Sequence, residues 1–177
     1  MAPEHPHARR EERNKNNGTC RCRRSLGASD GGSKRNTMKR IILSGGGTGG
    51  HIYPAVAVAE ALRRRFGKEV ELLFVGAEGK MEMEKVPALG YRIVGLPIAG
   101  LQRRLEWRNL LVPFKVLRSI RQARNVIRSF GADVVVGFGG YASAPVLWAA
   151  QRMGVPTVIQ EQNSYAGLTN KILAKRA

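Results

Sequence analysis

The chain has 177 residues, 43% of them hydrophobic, and 30 Lys and Arg against 13 Asp and Glu, for a net charge of +17. That length suits one domain with an appendage and buries roughly two thirds of the surface of its unfolded chain, so a core forms without a disulfide scaffold. Its two cysteines, Cys20 and Cys22, stand too close for an unstrained bridge, no further Cys/His pair completes a zinc site, and no apolar run approaches the ~20 residues of a bilayer span.

These features point to a reducing, cytoplasmic setting in which any membrane contact is peripheral. Residues 1–37 carry nine Lys/Arg and four Asp/Glu among many Asn, Gly and Ser, and show neither helical nor strand periodicity. They read as a disordered basic extension, an upstream translated stretch or a tag, with the fold starting at Met38. Residues 38–177 then keep a charge of +12, which calls for a polyanionic partner or surface.

From Met38 onward, strands and helices alternate. Arg40 to Ser44 is an apolar strand, His51 to Phe66 a helix stopped by Gly67, and Val70 to Val75 a second strand. A short helix over Lys80 to Leu89 and a strand over Tyr91 to Pro97 follow. Arg104 to Phe130 reads as helical, bent or broken at Pro113. Ala132 to Gly137 is a strand of the fully buried kind, Ala142 to Met153 a helix, Pro156 to Gln160 a fifth strand, and a last helix lies near Leu168. Apolar strands separated by helices predict a doubly wound parallel α/β sheet, Rossmann-like, with helices on both faces. In such a sheet the ligand crevice lies beyond the carboxyl ends of the strands, which directs attention to the segments after Ser44, Gly137 and Gln160.

The first of these segments is Gly45-Gly46-Gly47-Thr48-Gly49-Gly50-His51. Glycines let a ligand approach the backbone amides, and the helix that follows offers its positive end, so an anion such as phosphate is the expected guest. Gly45, Gly47 and Gly50 satisfy G-x-G-x-x-G, but no ribose-binding acid follows at the distance a dinucleotide site needs, and no Lys-Ser/Thr pair makes a nucleotide-hydrolase loop. His51, directly after the loop, suits a general base; a helix-start histidine bonded to a backbone carbonyl explains it as well. The second segment, Gly137 to Pro145, repeats the pattern with Gly139 and Gly140, and Tyr141 and Ser143 have hydroxyls to offer. Two glycine turns on one crevice suggest a pyrophosphate or sugar phosphate, whereas singly each is explained by close helix-on-strand packing. The third, Gln160-Glu161-Gln162-Asn163, is four polar groups in a row, poor core material whose plainer role is loop capping, with Asn163 or Ser164 starting the last helix.

Taken together, GGGTGGHIYP, GFGGYASAP, QEQN and GLTNKILAKRA resemble, in order, the N-terminal half of the MurG family of peptidoglycan N-acetylglucosamine transferases, over Met38 to Ala177. The resemblance implies one half of a GT-B enzyme, inverting and independent of metal or other cofactor. Such an enzyme moves GlcNAc from UDP-GlcNAc to the C4 hydroxyl of lipid I at the cytoplasmic face of the bacterial plasma membrane. It implies His51 and Glu161 as catalytic residues. Thr48, Gly49, Gly50, Tyr141, Ser143 and Asn163 then contact substrate, and Gly45, Gly46, Gly47, Gly139 and Gly140 form phosphate loops. Gln160 departs from the family's HEQN, so no proton role is carried over to it, and Ala144 stands where GGYxSGP has Gly. The donor-binding second domain has no room in 177 residues, and a half enzyme is expected to be nearly inactive alone.

The stretch from Arg103 to Arg128 holds eight Lys/Arg and one acid. Leu110, Phe114, Leu117 and Ile120 recur at near-helical spacing beside Trp107, Lys115, Arg118, Arg121 and Arg124, the pattern of a helix lying on an anionic membrane surface, or of one packed on the sheet. The family's membrane patch falls in the same region. A nucleic-acid module also explains the charge, but with 6% aromatic residues and no RNA or DNA motif no nucleic acid is expected. A non-catalytic membrane-docking or polyanion-binding module is the remaining alternative.

Overall fold

The structure, a computed structural model, describes residues 38–98 and 112–177. Its elements run β1 (Lys39–Ser44), α1 (Gly49–Phe66), β2 (Val70–Ala77), α2 (Glu82–Ala88), β3 (Arg92–Leu96), α3 (Val112–Phe130), β4 (Val134–Gly137), α4 (Gly140–Arg152), β5 (Thr157–Ile159) and α5 (Leu168–Leu173). The strands form one parallel sheet in the order β3-β2-β1-β4-β5. The doubly wound architecture expected from the sequence is therefore present, and its strand order reverses between β1 and β4.

Side chains that alternate across the strands feed two cores. On one face Ile42, Leu73, Val75, Leu96 and Val135 pack with Ala123 and Ile127 of α3, Val146 and Leu147 of α4, and Leu173 of α5. On the other, Leu43, Leu72 and Phe74 meet Ile52, Ala55, Val56 and Ala59 of α1 and Val86 of α2. Burying each of the larger side chains contributes about 1.5–3 kcal/mol. Coverage thins at the edge of the sheet. Val158 of β5 is in line with Val136 of β4 on the α1 side but is 51% exposed. Val134 and Val136 are half-buried, so β4 is not the fully buried strand the sequence suggests.

Two helix starts, those of α1 and α5, differ from expectation. Helix α1 starts at Gly49, two residues before His51, because Thr48 is still extended (φ −147°, ψ 155°) and the two glycines already complete the first turn. The described part of α3 begins at Val112, beside Pro113; the expected helix over 104–111, with its bend or break at Pro113, lies outside the described residues. Helix α5 starts at Leu168 with Gly167 as its N-cap, rather than at Asn163 or Ser164, because the Asn163 side chain is engaged by Glu161.

Candidate active site

Two glycine turns meet at the carboxyl ends of β1 and β4. In the turn after β1, the Gly45 N–H donates to Val75 O (3.4 Å), and the Gly47 N–H donates to both carboxylate oxygens of Glu82 (3.2 and 3.3 Å). Two of the three amides expected to receive a phosphate are thus spent within the fold. Thr48 is exposed and makes no side-chain cap bond, which leaves its hydroxyl and the first amides of α1 to a ligand.

The turn after β4 has Gly139 at φ 85°, ψ −170°, a region open essentially to glycine alone, and Gly140 at φ 76°. A Cβ on Gly139 would stand 3.2 Å from His51 Cε1 and Nδ1; one on Gly140 would run into Gly46 O and stand 3.2 Å from His51 Cδ2. These two glycines therefore seat the imidazole. Close helix packing explains a different one, Gly137, where a Cβ would collide with Leu147 of α4.

His51 is half-buried, and its Nδ1 lies 2.9 Å from Phe138 O, a bond in which only the nitrogen can donate. The Gln162 amide also meets Nδ1. The single Nδ1 proton goes to Phe138 O, which can only accept, so an N–H of Gln162 has no lone pair on Nδ1 to bond and its contact adds no second bond there. With the proton held on Nδ1, Nε2 keeps its lone pair and can accept a proton. The carbonyl bond of the plainer reading is present, and a free Nε2 lone pair is compatible with the other reading as well.

Tyr141, half-buried, lays its ring against the first turn: a Cβ on Gly47 would be 2.8 Å from its Cε1. Burial, and secondarily the Glu82 charge, push its phenol above the ordinary tyrosine value. Ser143 is fully buried and donates to Gly140 O at 3.0 Å, so the hydroxyl expected to meet substrate instead closes the first turn of α4.

The third segment is organised around Glu161. Its Oε1 accepts from the Asn163 N–H (3.0 Å) and Nδ2 (2.8 Å), and its Oε2 from the Gly167 N–H (3.2 Å) and Asn170 Nδ2 (3.0 Å). The Asn163 N–H foremost, and then the other donors, hold the carboxyl below its usual range against the opposing effect of burial. A carboxylate so satisfied is a weak base and has no proton to give near neutrality. These bonds make Glu161 the organiser of the loop that carries Gln162 to His51. Asn170 is 5% exposed and its Oδ1 has no partner, as is true of Gln160 Oε1. Glu82, Gln162 and Asn170 were not among the residues singled out from the sequence; Gln162 and Asn170 lie inside the quoted motifs, whereas Glu82 follows β2, a strand end the reading passed over.

Helix α3 turns Ser119, Ala123, Ile127 and Phe130 inward, and Ser119 Oγ donates to Pro97 O (3.2 Å). Leu117 is 55% exposed and Val116 46%, beside exposed Arg118, Arg121 and Arg124. Ile120 is half-buried and packs on the core, so it belongs to the stripe only in part. Trp107 and Leu110, and the side chains of Phe114 and Lys115, lie outside the described residues. Among the described residues no helix is long and apolar enough to cross a membrane, and no group of three or more His, Cys, Asp and Glu could hold a metal ion.

Comparison with known proteins places this geometry. Residues 41–177 match the family model of the glycosyltransferase family 28 N-terminal domain. A UDP-N-acetylglucosamine–N-acetylmuramyl-(pentapeptide) pyrophosphoryl-undecaprenol N-acetylglucosamine transferase of Porphyromonas gingivalis is 59% identical over 144 residues, 81% of this chain and 38% of the relative. The protein of the same name from Bacteroides fragilis is 58% identical over 138 residues, 78% of this chain and 36% of the relative. Among solved structures, Acinetobacter baumannii MurG matches with a TM-score of 0.69 at 33% identity, covering 78% of this chain and 40% of that one. A Polygonum tinctorium UDP-glucosyltransferase shares the fold alone, with a TM-score of 0.52 and 18% identity over 71% of this chain and 30% of that one. The chain thus spans less than two fifths of the length of these curated relatives. With its parallel sheet, its paired glycine turns and a match over residues 41–177, the chain belongs to glycosyltransferase family 28, as that family's N-terminal domain.

Proposed function

We propose that this chain is the acceptor half of an inverting GlcNAc transferase of peptidoglycan synthesis, with UDP-GlcNAc as donor and lipid I as acceptor. The observation that carries the reading is His51: its proton is held on Nδ1 by Phe138 O, which leaves Nε2 as the base between the two glycine turns. Nε2 takes the proton of the acceptor C4 hydroxyl as that oxygen bonds to C1 of GlcNAc. The C1–O bond to the diphosphate breaks on the opposite face, and UDP leaves with the bonding pair. Thr48, Gly49 and Gly50 line the substrate side at the start of α1, with Tyr141 and Asn163 beside them. The diphosphate charge is met by helix ends and backbone amides, so this chemistry asks for no metal.

The folded domain is residues 38–177, with 1–37 a basic extension outside it. The exposed Leu117 and Val116 among arginines favour an anionic bilayer over a nucleic acid as the polyanionic partner, and so a peripheral position on the membrane that holds lipid I. The test is sedimentation of the purified chain with neutral, anionic and lipid I-containing anionic vesicles, at low and high salt. Salt-sensitive binding to anionic vesicles, enhanced by lipid I, is expected. Equal binding with and without lipid I would sink the acceptor role and leave a membrane-docking module, and binding of RNA in preference to vesicles would remove the membrane as well.

A further inference from the structure

The loop after β1 is filled from the inside. Glu82, in the first turn of α2, is 1% exposed, and its carboxylate accepts the Gly47 N–H with both oxygens (3.2 and 3.3 Å) and the Ala77 N–H with Oε1 (3.1 Å). A buried carboxylate survives only where donors replace the water it lost, and two backbone N–H groups do so here. Two glycines make the slot. A Cβ on Gly46 would collide with the carboxylate, and one on Gly76 would stand 2.6 Å from Glu82 Cγ. Neither has a positive φ, so the backbone does not require glycine at either position. What they share is room for this one side chain.

We propose that Glu82 is a positioning residue: an internal anion that occupies the glycine loop, pins the Gly47 amide, and so sets Thr48 and His51 against the second turn before any ligand arrives. The inference rests on the acceptor-half reading for what the loop is positioned to do, but not for the contacts themselves. It also reassigns Gly46 and Gly47 from phosphate binding to accommodation of Glu82. Tyr141 stands next to this anion, its ring against Gly47. An apolar side chain in the slot would pack without needing donors; a carboxylate alone both fills it and ties the loop amide to the end of β2.

Amide exchange by 15N NMR on the 177-residue chain, without substrate, tests the proposal, with Glu82→Gln as the variant. The variant should keep its circular dichroism and most amide positions, while the Gly47 N–H moves upfield and exchanges at least about 10-fold faster, and the His51 ring and Tyr141 resonances shift. The Tyr141 phenol, whose titration is raised first by burial and second by Glu82, should titrate lower in the variant without reaching the free-tyrosine value. Unchanged Gly47 exchange, or faster exchange of amides across the whole sheet to the same degree, would overturn the proposal. If the variant does not fold, the wild-type chain decides: the Gly47 amide should exchange as slowly as the Ala77 amide that shares its carboxylate, and exchange as fast as that of an exposed loop amide would overturn it. Lipid I vesicle sedimentation of the same variant, expected to lose about 10-fold of the lipid I enhancement, separates the two readings. Should wild type show no lipid I enhancement, the function fails while the amide experiment still decides on Glu82.

Discussion

His51 is the residue proposed as the base, and the residues around it yield predictions of different kinds. In the chain joined to a donor half, His51→Ala is expected to cut GlcNAc transfer about 100-fold or more, since a positioned base contributes 10²- to 10⁴-fold; transfer assays with lipid I check this, and an unchanged rate would leave His51 as a helix-start residue only. Gly139→Ala places a methyl against the imidazole in a backbone region that costs about 1–3 kcal/mol for a non-glycine. A lowered thermal midpoint together with a displaced His51 ring signal is the expected result. Glu161 gives the pH dependence. Its carboxyl is held below its ordinary value by N–H donors, so its stabilisation of the loop is complete above the ordinary carboxylate range and is lost as pH falls through the lower folded value. Protection of the Asn163 and Gly167 amides should therefore persist on mild acidification and vanish only at stronger acid, and Glu161→Gln should remove it at every pH. None of this is visible in residue types alone. The sequence offers His51 and Glu161 as equals, and the difference lies in their partners: Phe138 O 87 residues away for one, neighbours within nine residues for the other.

Among the elements, α3 is the one proposed to meet the membrane. Its inward residues are small or apolar and tie it to β3 and α4, while Leu117, Arg118, Arg121 and Arg124 remain outside. With about 1 kcal/mol from each cation near anionic lipid, changing Arg118, Arg121 and Arg124 together to Gln should weaken binding to anionic vesicles by roughly 100-fold at low salt while leaving the fold intact. Circular dichroism and vesicle sedimentation measure the two. Most strand boundaries were legible within about two residues, because apolar runs bounded by glycine and charge admit few alternatives. The start of α1 was not. Gly49 and Gly50 have poor helix propensity, so their residue types argue against the turn they form. Glu82 and Gln162 escaped because their partners at Gly47 and His51 lie 35 and 111 residues away.

For the whole molecule, the decisive fact is that the chain matches 36–38% of the length of its curated relatives while residues 38–177 keep +12 of charge. The purified 177-residue chain is expected to bind membranes yet turn over little or no lipid I alone; sustained lipid II formation by it would refute the half-enzyme reading. Removal of residues 1–37 should leave the thermal midpoint within about a degree if they lie outside the cooperative unit, whereas a large drop would make them part of it. Among the described residues the sheet has β5 at one side, three residues with Val158 turned half outward. An open strand edge is a template on which a further strand can pair, and the usual defences against a foreign one are charge, bulges or brevity. Brevity serves here: three residues offer a template too short for a neighbouring molecule to register on, even with an apolar side chain on view.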